Sequence, residues 1–336
     1  MVSVDGAEVR ALAYPALTGA PRAGDRVLLN VGALQRGLGT GGYAFVVAIP
    51  DRLPADPDRP DTGHIVKSRY TPLQAMVSSV EEQGSPHHEL LRDAGSVDGM
   101  PVVVADLHSA LPAVLAGLFA ARPASRAVYV MQDGGALPVW FSRTVAGLRD
   151  AGWLAATVTT GQSFGGDLEA VTVHSGLLAA RHVAGADVTV VAQGPGNLGT
   201  GTRWGFSGVA AGEAVNAAAV LGGRPVASLR LSDADPRPRH QGVSHHSITA
   251  YGQVALAACD VAVPELAEPL ASRVAADVAP LASRHRLVRV PVDGLESALR
   301  ACPVPLSTMG RGLDEDLAYV LAAAAAGRVA AGLLAV

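Results

Sequence analysis

The chain has 336 residues, which is enough for two domains of about 150 residues each. Its 26 Lys and Arg and 30 Asp and Glu give a formal net charge of -4, and only 4% of its residues are aromatic. This composition disfavours nucleic-acid binding as the main role, because such proteins carry a basic surface, and it excludes an intrinsically disordered chain.

The first part of the chain contains short runs of Val, Ile, Leu and aromatic residues. They lie at residues 8–13, 25–31, 43–49 and 64–69, and Gly, Pro and Asp separate them. Such runs with turn residues between them are typical of small antiparallel sheets and barrels. We therefore predict a small all-β, barrel-like domain over residues 1–97.

From residue 98 onward, strand-like and helix-like segments alternate. The predicted strands are residues 102–105, 127–131, 154–159, 187–192, 226–231, 261–264 and 287–290. The predicted helices include residues 111–121, 139–151, 168–183 and 208–221, the third with Asp167 as its N-cap. Parallel strands joined through helices form a sheet that is covered on both faces. We predict an α/β domain over residues 98–336 with a doubly wound, mostly parallel sheet, since a complete barrel needs one more unit.

The C-terminal stretch, residues 317–336, is the part of the chain that most resembles a membrane span. It contains Arg328 and is mostly Ala, which contributes little to membrane insertion, so we expect a packed helix and no membrane segment. The chain start lacks the basic and apolar segments of a signal peptide, and Cys259 and Cys302 form no CxxC pair. We therefore expect a cytoplasmic protein with reduced thiols. Charged residues make up only 17% of the chain, which is compatible with a homo-oligomer, most simply a dimer.

Polar and glycine-rich segments follow five of the predicted strands. Asp133 follows the second strand and Ser163 the third, and longer segments follow the fourth and fifth. In a doubly wound sheet these segments meet at one edge, where such proteins bind their ligands. The sequence therefore predicts a functional cleft at this edge, with Asp133 and Ser163 among the ligand-binding candidates.

The segment after the fifth strand, residues 230–247, concentrates charge in a chain that is otherwise poor in it. In one interpretation, three imidazoles and two carboxylates hold a divalent metal, with His240, His245 and Asp233 as ligands. Adjacent histidines cannot easily face one ion, so His245 and His246 are not expected to share it. In another, Arg237 and Arg239 clamp an anion while a histidine transfers protons. If Ser244 caps the next helix, both adjacent histidines lie in its first turn. A solvated loop held by salt bridges is the third interpretation. The catalytic candidates are His240, His245, His246, Asp233 and Asp235.

A second candidate is the glycine-rich segment after the fourth strand. It matches the spacing of a dinucleotide fingerprint, but the helix start is delayed and the next strand-end acid lies too far along the chain. A Walker A loop also fails, because Thr200 stands where lysine is required. What remains is a set of backbone amides that could hold an anion, or a plain turn. The ligand-binding candidates here are Gly194, Gly196, Gly199, Thr200, Gly201 and Thr202.

A serine hydrolase is a further alternative. Gly161, Ser163 and Gly165 match the spacing of a nucleophile elbow, and an aspartate and then a histidine follow Ser163 in the order of an α/β-hydrolase. Such patterns arise easily in a chain with 38 glycines, and no HGGG-type oxyanion loop is present. A glycine-rich turn is therefore the preferred interpretation of this segment.

Four motifs together resemble one known family. They are residues 28–42 (LLNVGALQRGLGTGG), 163–168 (SFGGDL), 193–208 (QGPGNLGTGTRWGFSG) and the histidine-rich segment 230–247. The chain resembles the bacterial family called domain of unknown function 3866 over nearly its whole length. The resemblance implies a bacterial cytoplasmic protein and assigns no catalytic residue.

The sequence thus favours an enzyme, of hydrolase or transferase type, or a ligand-binding protein. Its ligand is expected to be a small anionic molecule, phosphorylated or nucleotide-like, bound at the strand ends with histidine acid–base chemistry or a divalent metal. The alternatives are a serine hydrolase that uses Ser163 and a non-enzymatic oligomeric protein with a regulatory or structural role.

Overall fold

The computed structural model describes residues 1–53 and 63–334. The chain divides into two compact units, which are Met1–Thr62 with Val66–Met76, and Gly63–Ile65 with Val77–Val336. The second unit takes in residues 77–97, which the sequence analysis grouped with the N-terminal domain.

The N-terminal part of the chain forms several small sheets. The hairpin β1–β2 is antiparallel, and in a three-stranded sheet β5 pairs with β4 antiparallel and with β3 parallel. The predicted all-β character is confirmed, with two one-turn helices between the strands. The elements are β1 (Val2–Val4), β2 (Ala7–Val9), β3 (Ala11–Leu12), α1 (Pro15–Thr18), β4 (Leu28–Asn30), α2 (Gly32–Gln35), β5 (Ala44–Ala48), β6 (Ile65–Lys67) and β7 (Ala75–Val77).

An eight-stranded, all-parallel sheet forms the centre of the second unit, which confirms the predicted doubly wound fold. Its strands are β8 (Pro101–Val104), β9 (Ala127–Gln132), β10 (Ala156–Thr159), β11 (Leu168–Glu169), β12 (Val188–Gln193), β13 (Arg224–Ser228), β16 (Asp260–Pro264) and β17 (Arg286–Val290). Across the sheet the order is β11-β10-β9-β12-β8-β13-β16-β17. Two antiparallel pairs stand outside it, β14 (Leu231–Ser232) with β15 (Gly242–Val243) and β18 (Ser307–Thr308) with β19 (Arg311–Gly312).

Helices cover both faces of the central sheet. They are α3 (His88–Leu91), α4 (Leu111–Ala121), α5 (Arg143–Asp150), α6 (Val173–His182), α7 (Ala210–Val220), α8 (His245–Thr249), α9 (Leu270–Val278), α10 (Leu295–Arg300) and α11 (Leu317–Gly332). Strand β8 shows why both faces need cover, since Val102 and Val104 join the apolar core under α6 and α7, while Val103 joins the core under α4 and α11. A strand buried on both faces reads as a continuous apolar run, which is why the sequence located it.

The apolar C-terminal stretch forms α11, which packs closely against α4. A Cβ atom on Gly117 would lie 1.9 Å from the carbonyl oxygen of Ala324, and one on Gly327 would lie equally close to that of Val114. Only glycine permits this approach of two helix backbones. Within the described residues, no helix has both the length and the apolar character needed to span a membrane.

The predicted helix over residues 168–183 is wrong at its start. Residues 168–169 form the edge strand β11, and α6 begins at Val173 with Thr172 as its N-cap. The carboxylate of Asp167 instead accepts hydrogen bonds from the backbone N and the hydroxyl of Thr157, at 2.7 and 2.9 Å. Because these tertiary bonds engage the carboxylate, Asp167 does not cap the helix.

The crossover pattern creates one crevice at the carboxyl edge of the sheet. The helix after β8, α4, lies on one face, whereas the helix after the neighbouring strand β12, α7, lies on the other. The loops after β8 and β12 therefore lead to opposite faces of the sheet and leave a gap between them. Strand β13 is the other neighbour of β8, so the loop after β13 lies beside the loop after β8. Doubly wound proteins bind ligands at such a switch point.

Candidate functional site

The loop after β13 carries most of the predicted site residues, and we call residues 230–247 the histidine loop. The pair β14–β15 closes it, with Leu231 opposite Val243 and Ser232 opposite Gly242. Gly242 has a φ of 69°, and a Cβ there would lie 2.4 Å from the carboxylate of Asp277. Glycine at this position therefore allows the loop to turn back toward the sheet.

Ser244 is the N-cap of α8, as predicted. Its hydroxyl accepts a hydrogen bond from the backbone N of His246 at 3.2 Å, and it lies 2.7 Å from Nδ1 of His240. The cap thus brings His240 to the first turn of α8, which contains His245 and His246.

His240, His245 and His246 form the histidine cluster. One ring nitrogen from each lies within 4.8 Å of the others, so the adjacent His245 and His246 both belong to one cluster. Phe206 stacks on the His246 ring with a centroid separation of 3.8 Å and an angle of 5°. This ring contact, from the segment after β12, holds His246 where its ring meets the other two.

Burial keeps two of these imidazoles uncharged. Desolvation lowers the pKa of His240 to about 3, and Arg230 and Arg237 lower it further in the same direction. Desolvation likewise lowers the pKa of His245 to about 4, with His246 and Arg239 as further causes. His245 Nε2 is buried and has no hydrogen-bond partner among the described residues. At neutral pH these two rings therefore offer lone pairs to a ligand or a proton.

Buried charges from other elements surround the histidine cluster. Arg230 Nη1 donates to His246 Nδ1 at 3.0 Å and lies 4.0 Å from Asp106 Oδ2. Asp106 Oδ2 is 3.6 Å from His246 Nδ1 and, within the described residues, lacks a hydrogen-bond partner. Asp106 was not among the predicted site residues. Its position just after the central strand β8 is the signal that could have found it.

Asp235 and Arg237 form a salt bridge within the histidine loop. The guanidinium of Arg237 donates to both carboxylate oxygens of Asp235, at 2.8 and 2.7 Å, and holds the pKa of that carboxyl well below its usual range. Arg311, from β19, lies 3.3 Å from the same carboxylate and also pairs with Asp316. This network braces the histidine loop. Asp233, in contrast, is exposed and lies outside the histidine cluster.

Residues 194–206, which we call the glycine loop, have several backbone amides that are already hydrogen-bonded, within the loop or to the end of β9. The backbone N of Thr200 donates to the Gly205 carbonyl at 2.8 Å, and that of Gly194 donates to the Gln132 carbonyl. The Thr202 hydroxyl accepts from the backbone N of Gly205 at 3.1 Å. The anion-binding interpretation needs free backbone amides in this loop. Because the amides of Gly194 and Thr200 already donate to carbonyls, these two candidates do not offer them to a ligand.

The glycine loop meets the histidine loop along a surface groove of about 540 Å³. Gly201 contributes from the first loop, where a Cβ would lie 3.8 Å from the guanidinium of Arg239. The charged side chains of this arginine groove are Arg203, Arg239, Arg273 and Asp277, and His245 lies at its wall. Three guanidinium groups thus line the groove together with one carboxylate, that of Asp277, which already accepts a hydrogen bond from the backbone N of Val243. The groove therefore suits an anion.

Ser163 and Asp133 lie in another part of the sheet edge. The Ser163 hydroxyl is buried and bonds to the carbonyls of Met131 and Thr160, at 2.9 and 2.7 Å. Asp133 accepts the backbone N of Gln162 at 2.8 Å. Ser163 follows β10, which is four strands from β13, or about 19 Å at roughly 4.8 Å per strand. This separation argues against a catalytic pair of Ser163 with a residue of the histidine loop.

Fold and candidate site together define a class: a doubly wound α/β protein with clustered histidines and buried ion pairs at the carboxyl edge of its sheet. The chain belongs to the family described as "Protein of unknown function (DUF3866)", whose profile matches residues 10–327. No curated protein and no solved structure matches the chain significantly.

Proposed function

We propose that the histidine cluster binds a divalent transition-metal ion and that the arginine groove binds a small phosphorylated molecule, as in a metal-dependent hydrolase or transferase. Two observations carry this proposal: one ring nitrogen from each of three histidines converges on one place, and His245 Nε2 is buried without a hydrogen-bond partner among the described residues. An unpaired buried polar atom costs about 1–3 kcal/mol, so its retention calls for an explanation such as a ligand.

Three imidazoles suit Zn²⁺ and related ions. Zn–N bonds are about 2.0–2.1 Å long, so two nitrogens on one tetrahedral ion lie about 3.4 Å apart. The nitrogens of the histidine cluster lie within 4.8 Å of each other, so ring rotations that move each nitrogen by about 1 Å would complete the site. A fourth position would remain for water or substrate.

Asp106 and Arg230 fit a supporting role. A metal on Nε2 of His246 leaves the ring proton on Nδ1, which faces the unpartnered Oδ2 of Asp106 at 3.6 Å. Carboxylates commonly orient metal-bound histidines in this way. Arg230 can only donate, so it would release Nδ1 and move toward Asp106, which lies 4.0 Å away.

A metal-free reaction is the second candidate. The bond from Arg230 to His246 Nδ1 places the His246 proton on Nε2, and this tautomer cannot bind a metal through Nε2. In this state His245 Nε2 would act as the proton acceptor for an anion held in the arginine groove. Metal analysis separates the two candidates.

Elemental analysis and Zn²⁺ titration calorimetry test whether the histidine cluster binds a metal ion. We expect about one bound ion per wild-type chain, and loss of binding in His245→Ala because a neutral ligand is removed. His174→Ala is the matched control, since this histidine is exposed on α6. Wild-type protein that binds neither Zn²⁺ nor Mn²⁺ would rule out the metal-dependent proposal.

Titration with inorganic phosphate tests the arginine groove. Arg239→Ala should weaken phosphate binding about ten- to a hundredfold, because a charge-assisted hydrogen bond contributes about 1.5–3 kcal/mol. Arg289→Ala, at an exposed position on β17, is the control. Equal phosphate affinity in both variants would exclude Arg239 as a ligand contact.

The dimer and the cytoplasmic location are further parts of this proposal, and they rest on the low charge and the two unpaired cysteines. Light scattering at micromolar concentration tests the dimer. A monomer would also count against the non-enzymatic oligomeric alternative.

A further inference from the structure

A second pocket lies at the switch point itself, apart from the arginine groove. It has a volume of about 250 Å³ and lies between the loop after β8, the glycine loop and the hairpin β18–β19. We call it the neutral pocket. Its lining residues include Leu107, His108, Ser109, Thr144, Asn197, Ser307, Thr308 and Met309.

No Asp, Glu, Lys or Arg is among the described residues that line the neutral pocket. Its one titratable ring, His108, is buried, and desolvation lowers its pKa to about 4. Both nitrogens of that ring are engaged, Nδ1 with the Tyr129 hydroxyl at 3.0 Å and Nε2 with the Ser142 hydroxyl at 2.7 Å. The wall is therefore uncharged, and it does not compensate a charged ligand.

The wall instead offers neutral hydrogen-bonding groups. Ser109 Oγ lies 3.2 Å from Thr308 Oγ1 and 2.7 Å from the Tyr319 hydroxyl, so hydroxyls cluster on one side. On another side, Asn197 Oδ1 accepts from Gln193 Nε2 at 3.0 Å and from the Ser207 hydroxyl at 3.1 Å. These two bonds fix the orientation of the Asn197 amide and leave its Nδ2 hydrogens as donors.

Two elements connect the neutral pocket with the proposed anion and metal site: the glycine loop lines both pockets, and the hairpin β18–β19 contacts the histidine loop. Gly196 and Asn197 of the glycine loop line the neutral pocket, whereas Gly201 and Arg203 of the same loop line the arginine groove. The hairpin β18–β19 lines the neutral pocket with Ser307 and Thr308, and its Arg311 pairs with Asp235 of the histidine loop.

We propose that the neutral pocket binds an uncharged polyhydroxyl group, so that the substrate class is a sugar phosphate or a related phosphorylated polyol. This inference rests on the proposed function for its phosphate end and on the neutral pocket for its hydroxyl end. At about 250 Å³, the neutral pocket is smaller than the roughly 300–1,000 Å³ of drug-sized sites, so it takes one small ring or chain. Hydroxyls and a side-chain amide match the donors and acceptors of such a group.

Saturation-transfer NMR with D-ribose and calorimetry with D-ribose 5-phosphate test the neutral pocket in the full chain. We expect ribose to bind wild-type protein weakly and ribose 5-phosphate to bind more tightly than either ribose or inorganic phosphate. Thr308→Val and Asn197→Asp should each weaken ribose binding about three- to tenfold, the loss expected for one or two neutral hydrogen bonds. Arg289→Ala, at an exposed position on β17 that lines neither pocket, should leave ribose binding unchanged.

The outcomes separate this inference from the proposed function. Two results would overturn the proposal for the neutral pocket. One is ribose binding that both neutral-pocket variants leave unchanged, and the other is no binding of ribose, glucose or glycerol at millimolar concentration. Ribose binding without any metal or phosphate binding would overturn the proposed function and support the neutral pocket alone. Asn197 is partly exposed, so Asn197→Asp keeps the test valid if Thr308→Val fails to fold.

Discussion

The histidine loop and the turn that contains Ser163 follow strands at the same edge of the sheet, and each matches a catalytic pattern in the sequence. In the turn, the Ser163 hydroxyl already bonds to two backbone carbonyls. In the histidine loop, His245 Nε2 is buried without a hydrogen-bond partner among the described residues, and so is Oδ2 of Asp106 beside the loop. A residue type at the right spacing is therefore weak evidence, whereas a reactive atom that the fold leaves unpaired is strong evidence.

The largest expected loss of stability comes from removing one charged group of the buried network around the histidine loop. Arg230→Met removes a guanidinium that is only 5% exposed and leaves Asp106 and Asp235 with less compensation. We expect the free energy of unfolding to fall by about 3–5 kcal/mol, as for other buried pairs that lose one partner. Urea denaturation measures this loss.

The matched control is Arg289→Met, which changes an exposed guanidinium and should alter stability by less than about 0.5 kcal/mol. Equal stability of the two variants would show that Arg230 does not hold the histidine loop together.

A pH titration sharpens the contrast between partnered and unpartnered histidines. The folded pKa of His108 is lowered to about 4, so the folded chain keeps this ring neutral while the unfolded chain takes up a proton below about pH 6.5. The stability associated with His108 is therefore present above pH 6.5 and is lost as the pH falls toward 4. The loss is about 3 kcal/mol at roughly 1.4 kcal/mol per pKa unit.

Other histidines titrate in the same interval, so the measurement is a difference between proteins. Urea denaturation of wild-type and His108→Gln protein at pH 7 and pH 4 should show a shallower pH dependence in the variant. Identical pH dependence would mean that His108 is not held neutral by burial.

The smallest expected effect is that of Ser163→Ala. Loss of the single O–H donor that the Met131 and Thr160 carbonyls share should reduce the free energy of unfolding by about 1 kcal/mol, while Zn²⁺ and phosphate binding stay unchanged. Denaturation and calorimetry measure the two quantities. A fluorophosphonate probe that labels wild-type protein but not Ser163→Ala would revive the serine hydrolase alternative.

Most of the central sheet could be predicted because its strands are buried on both faces. Seven strands were located from apolar runs such as residues 102–105 and 187–192, and these correspond to β8 and β12. The edge strand β11 was missed because it has only two residues, too few for a periodic pattern. Its neighbour Asp167 was misread as a helix cap because its actual partner, Thr157, lies ten residues away in sequence.

The candidate site was predictable in its position and only partly in its members. Ser244 carries a local capping signal, so its role was foreseen together with the placement of His245 and His246. Asp106 comes from a strand more than 120 residues earlier than the histidine loop, and no local pattern connects the two. The sequence also could not show which backbone amides of the glycine loop are already hydrogen-bonded. The Thr200 amide bonds within a turn whose shape depends on tertiary packing.

The sequence by itself determined the parallel α/β fold and the region of the candidate site, because periodicity and turn chemistry act over a few residues. Tertiary structure alone decided which polar atoms are paired. It brought the carbonyls of Met131 and Thr160 to the Ser163 hydroxyl, and it left His245 and Asp106 with buried atoms that have no hydrogen-bond partner among the described residues. The physical reason is that hydrogen-bond satisfaction in a buried site depends on contacts between segments far apart in the chain.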